Sequence, residues 1–335
     1  MKFLIIRLSS IGDIVLTTPV IRCLKQQILT SEIHYVTKSA YSAILESNPY
    51  VDEVFTVKED LNEVLDQLKE EDYDYVIDLH HNLRSLKIKR AIGKPSFSFP
   101  KLNIEKWLLT AFKINRMPDV HIVDRYLSTL EKFGIKNDGQ GLDYFIPEQD
   151  HISLDTLPSF CNNGYTALVL GATFATKRLP LHKLQQICEG YKGPLLLLGG
   201  KEDAAVGAQL EAIAPERIYN ACGKYNLNQS ADMLRQSKKV VTHDTGLMHI
   251  AAAFQVPILS IWGNTIPELG MYPYYAKEDK SPTRLANPHP LFEIFEVHPL
   301  SCRPCSKIGH QACPRKHFKC MELQDVPGII QWMNG

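Results

Sequence analysis

The run Val240-Val241-Thr242-His243-Asp244-Thr245-Gly246-Leu247-Met248-His249-Ile250-Ala251-Ala252-Ala253 decides the fold of this chain. Its apolar opening reads as a short strand. Asp244-Thr245-Gly246 breaks that strand, because glycine permits a sharp turn and the two polar residues can cap the next helix. Leu247 to Phe254 has the spacing of that helix. Gln255-Val256-Pro257 ends it, and Ile258 to Gly263 reads as the next strand. A helix that opens just past the carboxyl end of a strand presents free N–H groups and a positive dipole end. With His249 one helical turn in, the turn suits an anionic, hydroxyl-rich ligand. An ordinary capped strand–turn–helix would read the same way.

The pattern repeats on both sides. In the first half, strand-like runs at Lys2–Leu8, Glu32–Thr37, Val51–Val57 and Asp74–Leu79 alternate with helical patterns at Gly12–Gln26, Tyr41–Glu46 and Leu61–Glu70. Pro19 falls inside the first helical pattern, where it predicts a kink. A polar, turn-rich tract around Asp138–Asp150 places a domain boundary near residue 155. A second set comes after it, with strands at Thr166–Leu170, Pro194–Leu198, Arg217–Tyr219, Val240–Thr242 and Ile258–Ile261. The expected fold is α/β: two Rossmann-like domains, 1–155 and 156–322, facing one cleft lined by strand carboxyl ends. A last helical pattern, within residues 323–335, is expected to pack back toward the N-terminal domain.

Composition narrows the function classes. The 335 residues balance 37 Lys+Arg against 37 Asp+Glu, which provides no global field for nucleic acid. Four of the eight cysteines lie singly (Cys23, Cys161, Cys188, Cys222), which argues against a disulfide scaffold and for a reducing, cytoplasmic compartment. The N-terminus has no signal-peptide pattern, and no apolar run approaches a membrane span.

Chemistry concentrates at the turns after the strands. Arg7-Leu8-Ser9-Ser10-Ile11-Gly12-Asp13 lacks the three-glycine dinucleotide fingerprint, which disfavours a nicotinamide enzyme. Asp13 there is either a helix cap or a general base. Gly171 to Pro180 combines small and hydroxyl residues with Lys177-Arg178, a set that suits phosphate or a solvated basic loop. Gly199-Gly200-Lys201-Glu202-Asp203 offers acidic groups to sugar or ribose hydroxyls, or caps the next helix.

Ser9-Ser10-Ile11-Gly12-Asp13 with Thr17-Thr18-Pro19, and Asp244-Thr245-Gly246-Leu247-Met248-His249 with its alanines and Pro257, resemble glycosyltransferase family 9, the ADP-heptose:lipopolysaccharide heptosyltransferases. Asp78-Leu79-His80 with Asn82-Leu83-Arg84, Cys222-Gly223-Lys224 and Gly263-Asn264-Thr265 support it. Leu179 stands where members often carry tryptophan. The resemblance implies a GT-B arrangement and inverting transfer of a heptose or similar sugar from a nucleotide diphosphate, ADP-heptose, to a lipopolysaccharide core acceptor. No cofactor and no catalytic metal are implied. Asp13 would be the base, and Lys177 with Thr173 would hold the donor diphosphate. Asp244, Thr245, Gly246, Leu247, His249 and Glu202 would line the donor site, and Ser10, Gly12, His80 and Arg84 the acceptor site. A different nucleotide sugar, or a non-catalytic nucleotide-sugar binder, are the alternative readings; Asp13 and Lys177 together argue against the second.

Two further stretches carry expectations. Arg84 to Arg116 holds nine cations against Glu105 alone, interleaved with Leu102, Ile104, Trp107, Leu108, Leu109 and Phe112. Such a stretch suits peripheral contact with an anionic membrane face, a phosphorylated lipid acceptor, or a solvated helix over core. Cys302-x2-Cys305 followed by Cys313 and Cys320 has the opening of a structural zinc site, although the second half lacks a tight knuckle.

Overall fold

The computed structural model describes residues 1–276 and 290–335. The chain forms two compact units: Met1–Lys101 with Val120–Phe145, and Leu102–Asp119 with Ile146–Gly335. The boundary expected near 155 counted residues 102–119 as N-terminal. They pack with the second unit because Leu109 is buried against Ile266 and Leu269.

The first unit is built on strands β1 (Lys2–Ile6), β2 (Glu32–Lys38), β3 (Glu53–Val57), β4 (Tyr75–Asp78) and β5 (Ser96–Ser98). They form one parallel sheet in the order β3-β2-β1-β4-β5. Helices α1 (Ile11–Val15), α2 (Thr18–Gln27), α3 (Asn62–Glu70) and α4 (Leu83–Ile92) connect them, α5 (Asn103–Trp107) lies in the segment that joins the second unit, and α6 (Ile122–Leu127) returns to the first. Leu4, Ile6, Val36 and Val76 bury one face of the sheet under α3 and α4, with Val64, Leu68 and Ile88. Pro19 does not kink one long helix. The chain breaks at Leu16–Thr17 and Pro19 sits in the first turn of α2, where its missing N–H costs nothing.

The second unit holds β6 (Thr166–Val169), β7 (Leu195–Leu198), β8 (Ile218–Asn220), β9 (Lys239–His243), β10 (Ile258–Trp262) and β11 (Phe292–Glu296), all parallel, in the order β11-β10-β9-β6-β7-β8. Its helices are α7 (Leu181–Gly190), α8 (Ala204–Glu211), α9 (Leu227–Gln236), α10 (Gly246–Ala253), α11 (Lys319–Glu322) and α12 (Val326–Asn334). Strand β7 is Leu195-Leu196-Leu197-Leu198, wholly buried, as expected of a parallel strand covered on both faces. Helix α12 is anchored in this unit. Val326, Ile329 and Met333 are buried in this unit's own core with Leu184 and Ile187 of α7.

Strand order positions the functional loops. In each sheet the chain winds one way from a central strand and then the other, and the crevice beyond the strand ends at that reversal is where open α/β sheets bind ligands. In the first unit the reversal lies between β1 and β4, and in the second between β6 and β9.

Candidate active site

The loop after β1 carries Arg7 to Asp13. Arg7 is buried, and its guanidinium donates to the carbonyls of Ser9 (2.8 Å) and Leu79 (2.6 Å) and to the Tyr126 hydroxyl (2.9 Å). Its remaining nitrogen reaches the Asp13 carboxylate at 2.5 Å. The other Asp13 oxygen accepts from the Ser10 hydroxyl (2.9 Å) and N–H (3.2 Å). Asp13 is therefore both a cap of α1 and a carboxylate held in one orientation by a buried cation. Ser10 is exposed, and Gly12 is buried.

The loop after β4 stands across the reversal, tied to the first by the Arg7–Leu79 bond. Asp78 is fully buried and accepts from the His80 and His81 N–H groups (3.1 and 2.7 Å), the Ser85 hydroxyl (2.9 Å) and the Lys89 ammonium (2.8 Å). Its role is to brace the loop. His80 has a buried Nδ1 that lacks a hydrogen-bond partner. Burial and the nearby Arg7 and Lys101 charges hold His80 neutral, with its pKa down to about 4. Arg84, in the first turn of α4, is exposed.

In the second unit, the loops after β6 and β9 meet. Lys177 Nζ lies 2.5 Å from Asp244 Oδ2 and 3.3 Å from the Asp244 carbonyl oxygen, bridging the reversal point. The Thr265 hydroxyl, from the loop after β10, donates to the same carboxylate at 2.9 Å. Asp244 thus does not cap α10, contrary to the simplest expectation. Thr245 holds the N-cap position with no side-chain cap bond, its hydroxyl lying 3.4 Å from that of Thr242. The first N–H groups of α10, from Gly246 onward, are free of side-chain acceptors from that cap and carry the positive end of its dipole. Leu247 is half-buried, and His249 is buried under the turn.

Other expected donor residues fall differently. Thr173 is exposed in the Lys177 loop, and its carbonyl accepts from Gln311 at 3.3 Å. Glu202 is exposed at the tip of the loop after β7, with its carboxylate lying over Gly200. Its neighbour Asp203 is the one that caps: it is buried, accepts from the Gly200 N–H (2.9 Å) and pairs with Arg178 (3.1 Å).

Sequence reasoning missed the residues behind these loops. His243 is buried at the end of β9 and its Nε2 accepts the Leu179 N–H at 3.0 Å, so it joins the Lys177 loop to the Asp244 turn. Burial and the Arg178 charge hold it neutral, with a pKa of about 4. Arg303, also buried, donates to the carbonyls of Gly263 (2.5 Å) and Thr265 (3.0 Å) and pairs with Glu296 at 2.7 Å. Thr176 exchanges hydrogen bonds with the His310 backbone and donates to Asn264 at 3.0 Å. No local pattern in the sequence marks any of these; each depends on which strand is central.

The C-terminal cysteines are part of this backing. Cys302, Cys305, Cys313 and Cys320 are free thiols, and Cys320 is in the core, its pKa pushed up to about 12 by burial. No three of the four bring their sulfurs within 4.8 Å of one another. Among the described residues the one such trio of ligating atoms is Glu32, His34 and Glu71, where Lys2 pairs with both glutamates. Cys302 lies 3.8 Å from His317 Nε2 instead. The four thiols nevertheless lie near enough for their charges to interact: burial, with the Cys302 and Cys313 thiols beside it, pushes the Cys305 thiol up.

Comparison with known proteins points the same way. A family model described as Glycosyltransferase family 9 (heptosyltransferase) matches residues 62–284. Lipooligosaccharide heptosyltransferase 2 of Haemophilus influenzae is 36% identical over 108 residues, a match spanning 29% of this chain and 31% of that protein. Lipopolysaccharide heptosyltransferase 1 of Pseudomonas aeruginosa is 28% identical over 302 residues, 80% of each. The solved ADP-heptose lipopolysaccharide heptosyltransferase II of Escherichia coli superposes with a TM-score of 0.66 over 100% of both chains at 17% identity, a likeness of fold. Two Rossmann-like units of this GT-B type, with a family match across the Lys177 and Asp244 loops, identify an enzyme: the chain belongs to glycosyltransferase family 9, the heptosyltransferases.

Proposed function

We propose that this glycosyltransferase moves a heptose, from ADP-heptose, to a lipopolysaccharide core acceptor in the cytoplasm, with inversion and in one displacement. The observation that carries the reading is the Lys177–Asp244 pair beside the uncapped start of α10, at the strand reversal of the second unit. Breaking a glycosyl–phosphate bond builds positive charge on the sugar and negative charge on the departing diphosphate. Fixed donors aimed at the second charge lower the barrier. Lys177 and the N–H groups from Gly246 onward supply them; Thr173 assists from the same loop. On this reading Asp244 and His249 serve the sugar and diphosphate, and Glu202 accepts from sugar or ribose hydroxyls.

Asp13 takes the proton of the attacking acceptor hydroxyl. Its second oxygen is held by Ser10, and Arg7 fixes its orientation. A base that accepts late needs position more than strength. His80, neutral and with an open nitrogen, and Arg84, exposed at the head of α4, suit the hydroxyls and phosphates of an acceptor.

Calorimetric titration with ADP, UDP, GDP and CDP, first without metal and then with magnesium, tests the donor. Selective, metal-independent ADP binding that is lost in Lys177→Ala is the expected result. Selective binding of another nucleotide would move the donor to a different sugar, and no binding at all would overturn the site. Transfer from ADP-heptose to a deep-core acceptor tests the reaction itself.

A further inference from the structure

Ten large hydrophobic side chains are exposed among the described residues, and four of them fall within eleven residues: Ile104 at 71%, Trp107 at 56%, Phe112 at 57% and Ile114 at 47%. Chance does not scatter apolar surface this way, and such patches mark contact sites. The local backbone explains the clustering. Helix α5 runs on into a wide π turn over Leu108–Phe112. That wider turn sets residues five apart on one side, and the Trp107 and Phe112 rings meet edge to face with centroids 5.0 Å apart. The opposite side is spent on the second unit, where Leu109 is buried with Ile266, Leu269 and Met117. Lys113 pins the end of the segment by donating to the Pro304 carbonyl at 2.6 Å. The segment is thus a short platform, fixed from below, with an apolar outer face.

Cations neighbour that face along the chain. Between Lys101 and Arg116 lie Lys101, Lys106, Lys113 and Arg116 against Glu105 alone. Aromatic and aliphatic groups in the middle with Lys and Arg at the margin match the interface of an anionic bilayer, where rings enter the headgroup region and cations stay at the phosphates. The same charges count against a second copy of this chain as the occupant, since a two-fold contact would set like charges against each other. No helix among the described residues is long and apolar enough to cross a membrane, so the contact is made in the plane of the surface.

We propose that Ile104, Trp107, Phe112 and Ile114, flanked by Lys106 and Arg116, form a docking surface for an anionic lipid bilayer. The inference goes beyond the transfer reaction, and its test uses neither donor nor acceptor, so failure here leaves the transfer reading standing.

The experiment is co-sedimentation of the full chain with vesicles of phosphatidylcholine alone and of phosphatidylcholine with about a quarter phosphatidylglycerol. Binding to the anionic vesicles only, weakened by salt, is expected. Trp107→Ser with Phe112→Ser lowers the partition coefficient at least about tenfold, with melting temperature and ADP affinity unchanged. Trp107 also serves as a probe: Trp262 is buried and Trp332 is half-buried beneath the Lys239 ammonium, so the blue shift that vesicles cause in the parent is absent when Trp107 is replaced by Phe, which keeps binding. Absence of pelleting with anionic vesicles overturns the proposal, as does equal pelleting of the parent and the double variant. Self-association that the double variant abolishes, without vesicle binding, assigns the face to a second copy and overturns it too.

Discussion

Replacing Asp13 in two ways separates its chemistry from its structural work. Asp13→Ala removes the two bonds to Ser10 together with the ion pair with Arg7. Loss of the cap costs about 1 kcal/mol, and loss of a charge-assisted bond about 2 kcal/mol more. Arg7 is not left stranded, because Ser9, Leu79 and Tyr126 still accept from it. The total therefore stays near about 3 kcal/mol rather than the larger cost of an isolated buried charge, which is up to about 5 kcal/mol. Asp13→Asn keeps the shape and one acceptor for Ser10, and loses only the charge, at about 1–2 kcal/mol. With roughly 3 °C per kcal/mol, the alanine variant melts about 10 °C lower and the asparagine variant about half that. Catalysis ranks them differently. Both lose the base, so both lose transfer by roughly 10³-fold, the asparagine variant while still folded and still binding ADP. Transfer by Asp13→Asn within tenfold of the parent would refute the assignment, and so would loss of ADP affinity in that variant.

Other outcomes rest on the geometry of the second unit. Lys177→Ala removes the cation from the diphosphate and from Asp244, and weakens ADP by at least about tenfold while leaving folding of the first unit unchanged; calorimetry reads it. Chelation leaves ADP binding and transfer intact, since Lys177 and α10 carry the charge; loss of transfer in EDTA, restored by one metal ion, would contradict this. His243 sets a pH dependence. Its folded pKa of about 4 lies below the ordinary histidine value, so the unfolded chain binds the extra proton first. The stabilisation is complete above about pH 6.5 and is lost as pH falls from there toward 4, by at most about 3 kcal/mol. Urea midpoints at neutral pH and near pH 4.5 measure it, and His243→Gln flattens the slope. Arg303→Met frees the Gly263, Thr265 and Val297 carbonyls and leaves Glu296 with His298 as its remaining partner; the expected result is a loss of about 2–4 kcal/mol in stability together with weaker ADP binding.

How far the sequence can be read depends on whether the signal is local. The Asp244–Gly246 turn, with a strand before and a helix after, shows its place because every part of the argument lies within a short run of neighbouring residues. The alternation of strands and helices likewise betrays two parallel sheets. Strands β5 and β11 are not visible in it: Ser96–Ser98 is too short and polar, and Phe292–Glu296 alternates with glutamates at an edge position. Pro19 suggests a kink because the break at Thr17 is made by the backbone and leaves no apolar gap. The backing residues stay hidden for a further reason. His243 and Arg303 brace the site through backbone groups of segments 64 and 38–40 residues away, and such partners have no side-chain signature. The cysteines illustrate the converse, a spacing that looks purposeful while one of its members serves as core.

The Lys177–Asp244 contact has a consequence for turnover. A carboxylate tethered 2.5 Å from the cation is an internal anion at very high effective concentration. In the proposed reaction, every nucleotide must displace it to reach Lys177, and the spent diphosphate must resist displacement by it in return. In that reaction the protein would carry its own competitor for the product. On that reading Asp244 would cap how tightly ADP is held and hasten its departure, and an Asp244→Asn variant is expected to bind ADP more tightly and release it more slowly, trading cycle rate for affinity.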